Sequence, residues 1–179
     1  ACHGASRSRA ARDPTDDARR TSRLSSTSPR KAWARTVRVG WIFRYAYLWD
    51  WQHREGREEG DKDRPCLVLA IVMTTEEGAP IVRVLPSTHT PPTNPADAIE
   101  IPADVKGRLR LDAERSWIVL TESNRFAWPG PDLRAVDTES GYHGALTPGL
   151  FAEVKRRFVA IARGEVATSA PHQSVPRTE

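Results

Sequence analysis

Cysteine is almost missing from this chain. Its two residues, Cys2 and Cys66, lie far apart, so there is neither a disulfide framework nor a CxxC pair, and a reduced cytoplasmic chain is the simplest expectation. Cys66 begins an apolar run and reads as a small buried hydrophobe. Long hydrophobic runs are missing too. None approaches the roughly 18 residues that cross a membrane, and no membrane partner is expected. No His, Cys, Asp or Glu cluster has the spacing of a metal site, and Asp61 and Asp63 resemble a ligand pair only superficially. There is no Gly-rich phosphate loop and no GxSxG turn. Neither a metal nor another cofactor is therefore expected. Lysine is scarce, with 4 against 23 arginines, a bias that suits a GC-rich bacterial genome.

What is present divides unevenly. The 179 residues carry a formal net charge of +4. Residues 1–31 hold eight Lys or Arg against three Asp, and the remaining 148 hold 19 basic against 20 acidic residues. The high isoelectric point therefore belongs to the first stretch, and any anion site in the body must be local. Residues 1–35 have little apolar content and no secretory h-region, and they read as a disordered basic tail. Residues 36–164 read as one domain, and residues 165–179 as an unstructured end.

Within the domain, "TVRVGWIFRYAYLW" (36–49) is β-branched and aromatic, as a strand is. The charged, Gly-punctuated segment 50–63 reads as a long loop. "CLVLAIVM" (66–73) reads as a strand buried on both faces, turning back through "TTEEGA" into "PIVRVLP" (80–86) as a hairpin. Residues 87–98 form a proline-rich loop. "AIEIP" and "WIVLT" (117–121) are short strands, with one turn of helix between them. Residues 122–136 leave the core through a turn-rich segment. The one convincing helix is 147–164, with Thr147 as cap, Pro148 at its first position and an apolar stripe of Leu150, Val154, Phe158 and Ile161. The fold class expected is mainly β, a small antiparallel barrel with a C-terminal α-helix.

Polar groups gather where these strands meet loops. Arg64 precedes the first buried strand, Thr88 and His89 follow the second, and Glu122 and Asn124 follow the third. In an antiparallel hairpin the start of one strand lies beside the end of the next, which brings Arg64 near Thr88 and His89. Arg suits phosphate oxygens, Thr can hold one of them, and His or Glu can move a proton to or from a ribose hydroxyl. Taken singly, each has an ordinary role: an edge-blocking charge, a turn residue, a surface histidine, a strand-end carboxylate. Trp49, Trp51 and Trp128 are candidates to stack bases, although "WPGPDL" reads first as a rigid turn that packs Trp128.

The blocks Gly40-Trp41-Ile42, Arg64-Pro65-Cys66-Leu67-Val68-Leu69, "VRVLPSTHT" (82–90) and "SWIVLTESNRFAWPGPDL" (116–133), in that order, resemble the PemK/MazF-like growth inhibitors. These are toxins of bacterial type II toxin–antitoxin pairs, and the likeness covers about residues 38–163. It implies an SH3-like barrel, a homodimer and a cognate antitoxin protein. It also implies metal-independent cleavage of single-stranded RNA by 2′-OH attack. Arg64 matches the family's catalytic arginine and Thr88 its active-site threonine. Some members carry an Arg–x–Asp pair where this chain has Val119-Leu120-Thr121-Glu122, so Glu122 stands in as the candidate base, with His89 beside it and Asn124 as a substrate contact. A non-catalytic RNA- or protein-binding barrel is the alternative.

Overall fold

The longest ladder in the molecule joins β2 (Asp63–Thr74) to β3 (Pro80–Thr88), antiparallel, with Cys66 facing Pro86 and Leu67 facing Leu85. A computed structural model describes residues 33–130, 132–137 and 140–177. Around that hairpin stand β1 (Trp41–Ala46), α1 (Asp50–Arg54), β4 (Ala98–Glu100), α2 (Ala103–Arg108), β5 (Trp117–Val119), β6 (Glu122–Ala127), β7 (Leu133–Arg134), β8 (Tyr142–Ala145), α3 (Pro148–Ala162) and β9 (Gln173–Pro176). The fold is mainly antiparallel β with a helix near its C-terminal end.

β1 pairs with the outer edge of β2, and β7 and β8 divide the far edge of β1 between them. The far edge of β3 is divided in the same way, between β5 at its end and β6 at its middle. The expected barrel is therefore not closed. Among the described residues no ladder joins β7 or β8 to β4 or β9, because β1 and β3 each give their free edge to two short strands and the sheet forks instead of curling onto itself.

Alternation sends side chains to two cores. Ile42, Leu67, Leu69 and Leu85 point to one face, where α3 covers them with Val154, Phe158 and Ile161. Phe43, Tyr45, Cys66, Val68, Val82, Val84 and Phe126 point to the other, where Phe126 stacks with Tyr45 and Trp128, and Trp128 with Tyr142. Thr147 caps α3 by accepting from the Leu150 amide, and Pro148 opens it, where its missing N–H costs nothing.

Several expectations need correction. The run 66–73 is buried on both faces only as far as Leu69. Ile71, Val72 and Met73 are exposed, because the β1 ladder ends at Leu67 and the register with β3 shifts beyond Val68, which leaves this part of β2 as an edge strand against a β3 still paired to β6. The turn-rich segment after residue 121 holds a six-residue strand, β6. The N-terminal boundary moves earlier. Most of the tail 1–35 lies outside the described residues, but Trp33 packs on Tyr142 and Ala34 is buried, accepting a hydrogen bond from the Trp128 indole. Nor is the whole C-terminal end irregular, since residues 173–176 form β9, parallel to β6. β9 hides from pattern reading because it offers one apolar residue, Val175, between two prolines.

Phe158→Ala removes a ring wedged between α3 and the sheet and is expected to cost about 3–5 kcal/mol. A urea titration followed by circular dichroism measures the loss.

Candidate functional site

Arg64 enters the sheet opposite Tyr45 of β1. Pro65 has no N–H to give and suits the mouth of a strand. It also biases the preceding residue toward extended backbone. The Arg64 guanidinium lies over the Trp49 ring, 5.2 Å from its centroid, an attraction worth about 0.5–2 kcal/mol. Its Nε is buried without a hydrogen-bond partner among the described residues, so the group meets solvent through its terminal nitrogens.

Across the hairpin, the β2–β3 register extended by two residues sets Thr88 against Arg64. The Ser87 hydroxyl donates to the Pro65 carbonyl at 2.8 Å and pins the two strand ends together. Thr88 Oγ1 accepts from the Thr90 amide at 3.1 Å, leaving the hydroxyl proton free to donate. Glu122 opens β6, and its Oε2 accepts from the Asp50 amide at 3.1 Å. Burial raises its pKa first, and the Asp50 carboxylate adds to the rise, against the amide bond and Arg54, which lower it.

Arg64, Thr88, Glu122, Trp49 and Trp51 line one open groove of about 490 Å³ together with the proline-rich segment at 90–93 and Asp97. Five of the eight residues expected at a site are thus brought together. Parity explains why. Arg64 shares its face with Cys66 and Val68, Thr88 with Val84, and Glu122 with Phe126, all on the aromatic side of the sheet.

The other three residues do not line the groove. His89 follows Thr88 and so takes the opposite face, where its Nε2 lies 3.3 Å from Asp112 and its Nδ1 3.5 Å from Glu114. It fastens the end of β3 to the connection before β5, and Asp112 is held in turn by the buried Lys106 amine at 2.9 Å. Asn124 is fully buried. Its side chain accepts from the Leu48 amide at 3.1 Å and donates to the Leu48 carbonyl at 2.7 Å, so it supports the corner that carries Trp49 and does not touch a substrate. Trp128 is 3% exposed within the aromatic core, so its ring is closed to a base.

Two contributors escape a reading by sequence. Asp50, the neighbour of Trp49, both binds Glu122 through its amide and repels it through its carboxylate. Tyr47 is fully buried, and its hydroxyl has no hydrogen-bond partner among the described residues. Burial, and after it the Glu122 carboxylate, push its pKa well above the ordinary phenol value. The alternation Tyr45, Tyr47, Trp49 was the available signal, since it carries the aromatic face to the groove. Among the described residues, no group of three or more His, Cys, Asp or Glu side chains could hold a metal ion, and no helix is long and apolar enough to cross a membrane.

Comparison with models of known protein families returns no match for the chain, and no curated protein matches it either.

Two outcomes follow from this geometry. Because the folded state raises the Glu122 pKa, folding favours its neutral form, and the stability tied to that proton is present below the ordinary carboxylate value and lost as pH rises through the raised one. Glu122→Gln is isosteric and neutral, so it is expected to be more stable than wild type at pH 7, with the difference vanishing below the ordinary carboxylate value. Urea midpoints at pH 7 and pH 4 report it. Asn124→Ala leaves the Leu48 amide and carbonyl buried and unpaired, and is expected to cost about 2–4 kcal/mol, measured by thermal unfolding.

Proposed function

We propose that the chain is a metal-independent endoribonuclease of the PemK/MazF toxin type, cutting single-stranded RNA to inhibit growth. The observation that carries this reading is the meeting of Arg64, Thr88 and Glu122 on one face of one groove, beside the half-exposed ring of Trp51. In this scheme the ribose 2′-oxygen attacks phosphorus and the bond to the 5′-oxygen breaks, leaving a cyclic phosphate and a 5′-hydroxyl. Glu122 takes the 2′ proton. Its raised pKa makes it a stronger base than a free carboxylate, and a carboxylate held by one oxygen has a second with which to accept. Arg64 stabilises charge on the phosphorane oxygens or protonates the leaving oxygen, already steered by the Trp49 ring beneath it. Thr88 donates to a non-bridging oxygen. Trp51, 49% exposed at the rim, supplies a face on which a base stacks. The same reading brings a second copy of the chain and a cognate antitoxin protein as partners, and sets the protein in the cytoplasm with its RNA.

One observation favours a second reading, a non-catalytic RNA- or protein-binding module. Among the described residues lining the groove Arg64 is the single cation, against two carboxylates, Asp97 and Glu122, a weak lure for a polyanion.

Purified protein incubated with mixed-sequence single-stranded RNA in EDTA separates the two. The expected result is discrete fragments ending in cyclic phosphate, with Arg64→Ala lowering the rate by about 100-fold or more while its circular dichroism is unchanged. Undiminished cutting by that variant would sink the role given to Arg64. Retardation of the RNA without cutting supports the binding module.

A further inference from the structure

Beyond α3 the chain doubles back as a strap across the molecule. Residues 163–172 first cross the loop at 94–97, where Asn94 Nδ2 donates to the Ala167 carbonyl at 3.1 Å and the Ser169 amide donates to Asp97 at 3.0 Å. The strap then joins β6 as β9, pairing Gln173 with Glu122 and Val175 with Asn124. The Gln173 amide donates to the Thr121 carbonyl at 2.7 Å, and the Arg177 amide to the Arg125 carbonyl at 2.8 Å. Asp97, Thr121 and Glu122 all line the groove, and the Leu120 amide donates to the Asp97 carbonyl at 2.8 Å. A single segment therefore holds two of the lining residues, Asp97 and Thr121.

His172 stands at the bend between these two attachments. Its Nδ1 lies 3.1 Å from the Leu120 carbonyl, which can only accept, so Nδ1 carries the proton. Its Nε2 lies 3.3 Å from Arg83 Nη1, which can only donate, and 3.1 Å from the Ser123 hydroxyl. With Nδ1 protonated, the neutral ring presents Nε2 as an acceptor to the Ser123 hydroxyl or to Arg83 Nη1, which cannot accept in return. Arg83 also donates to Ser123 at 2.8 Å and to Ser174 at 3.2 Å, tying β3, β6 and β9 around the imidazole. The Phe158 ring of α3 meets the imidazole edge to face at 4.9 Å.

We propose that His172 is a pH-operated latch: protonation at Nε2 releases the strap from β6 and from the loop at 94–97, and so frees Asp97 and Thr121, two residues that line the groove, from its hydrogen bonds. A proton there turns an acceptor into a donor facing a guanidinium, and places two cations in contact in a half-buried site. Of the charged groups on the surrounding elements, Arg83 of β3 bears directly on the ring. Arg125 of β6 stands by Arg83, and Lys155 of α3 shares a surface patch with Arg83 and Phe158. No carboxylate among the described residues offsets them at the ring. Burial first, and then Arg83, hold the imidazole below its ordinary value, against the Leu120 bond that raises it. A histidine lowered by docking stabilises the docked strap fully above the ordinary histidine value, and that stability is lost as pH falls toward the lowered one.

Amide hydrogen exchange, corrected for intrinsic rates, tests the latch on the whole chain. Protection at Gln173, Val175 and Arg177 is expected to fall by up to about tenfold per pH unit across that window, as one linked proton requires, while β2 and β3 keep theirs. His172→Gln cannot take up the proton, so its strap protection is expected to be flat over the same range. The latch is overturned if wild-type strap protection persists while the His172 ring titrates by NMR, or if His172→Gln shows the same loss as wild type.

Discussion

Cys66 faces Pro86, Leu67 faces Leu85 and Val68 faces Val84, and this register of β2 against β3 decides which side chains can meet anywhere else in the molecule. It divides the hairpin's residues between an aliphatic core under α3 and an aromatic core under Trp128. It also carries Arg64 and Thr88 to the same face at the same end. A slip of one residue would exchange the faces of every side chain on one strand. Leu67 and Leu69 would then point at the aromatic core while Cys66 met α3. The apolar pattern of both cores opposes that slip, so the geometry of the groove is enforced by packing far from it.

The parts legible in sequence are those that depend on this local period. The hairpin of β2 and β3, the helix α3 with its cap, and the meeting of Arg64 with Thr88 all follow from alternation, from spacing and from Pro65. The same rule, carried one residue further, sends His89 away from Thr88. It was illegible only because a proline-rich loop gives no sign that the strand runs on to residue 88. Glu122 reached the groove for a reason that sequence does not carry. β6 opens two residues after β5, so two short strands share the edge of β3, and strands of three and six residues leave too little pattern to separate them. Asn124 and Trp128 are polar or amphipathic residues that the fold buries, each satisfied by a backbone carbonyl of a distant segment, Leu48 or Ala34. No local pattern announces a partner 76 or 94 residues away.

Beside the groove, the corner at residues 48–50 is held by polar side chains, most firmly by the buried Asn124 from far along the chain. Asn124 holds both backbone groups of Leu48, and Glu122 and Gln52 accept from the next two amides, those of Asp50 and Trp49. A corner with its amides occupied in this way moves only by breaking these hydrogen bonds. The Trp49 ring and the guanidinium over it are therefore positioned before any ligand arrives. The proline-rich segment that also lines the groove is stiff for the different reason that its backbone has few conformations to lose.

The placement of β9 has a consequence in time as well as in space. The β2–β3 ribbon closes over a short turn and needs only residues near it in sequence, so it can form early as the chain is made. β6 can then add to the edge of β3. The strap cannot settle until β6 is in place and residues up to 177 have left the ribosome. A chain interrupted after α3 would hold Arg64, Thr88 and Glu122 on a sheet whose β6 edge was bare and whose Asp97 and Thr121 lacked the strap's hydrogen bonds. The bracing of Asp97 and Thr121 is thereby deferred until the strap has been made, a timing device written into strand order.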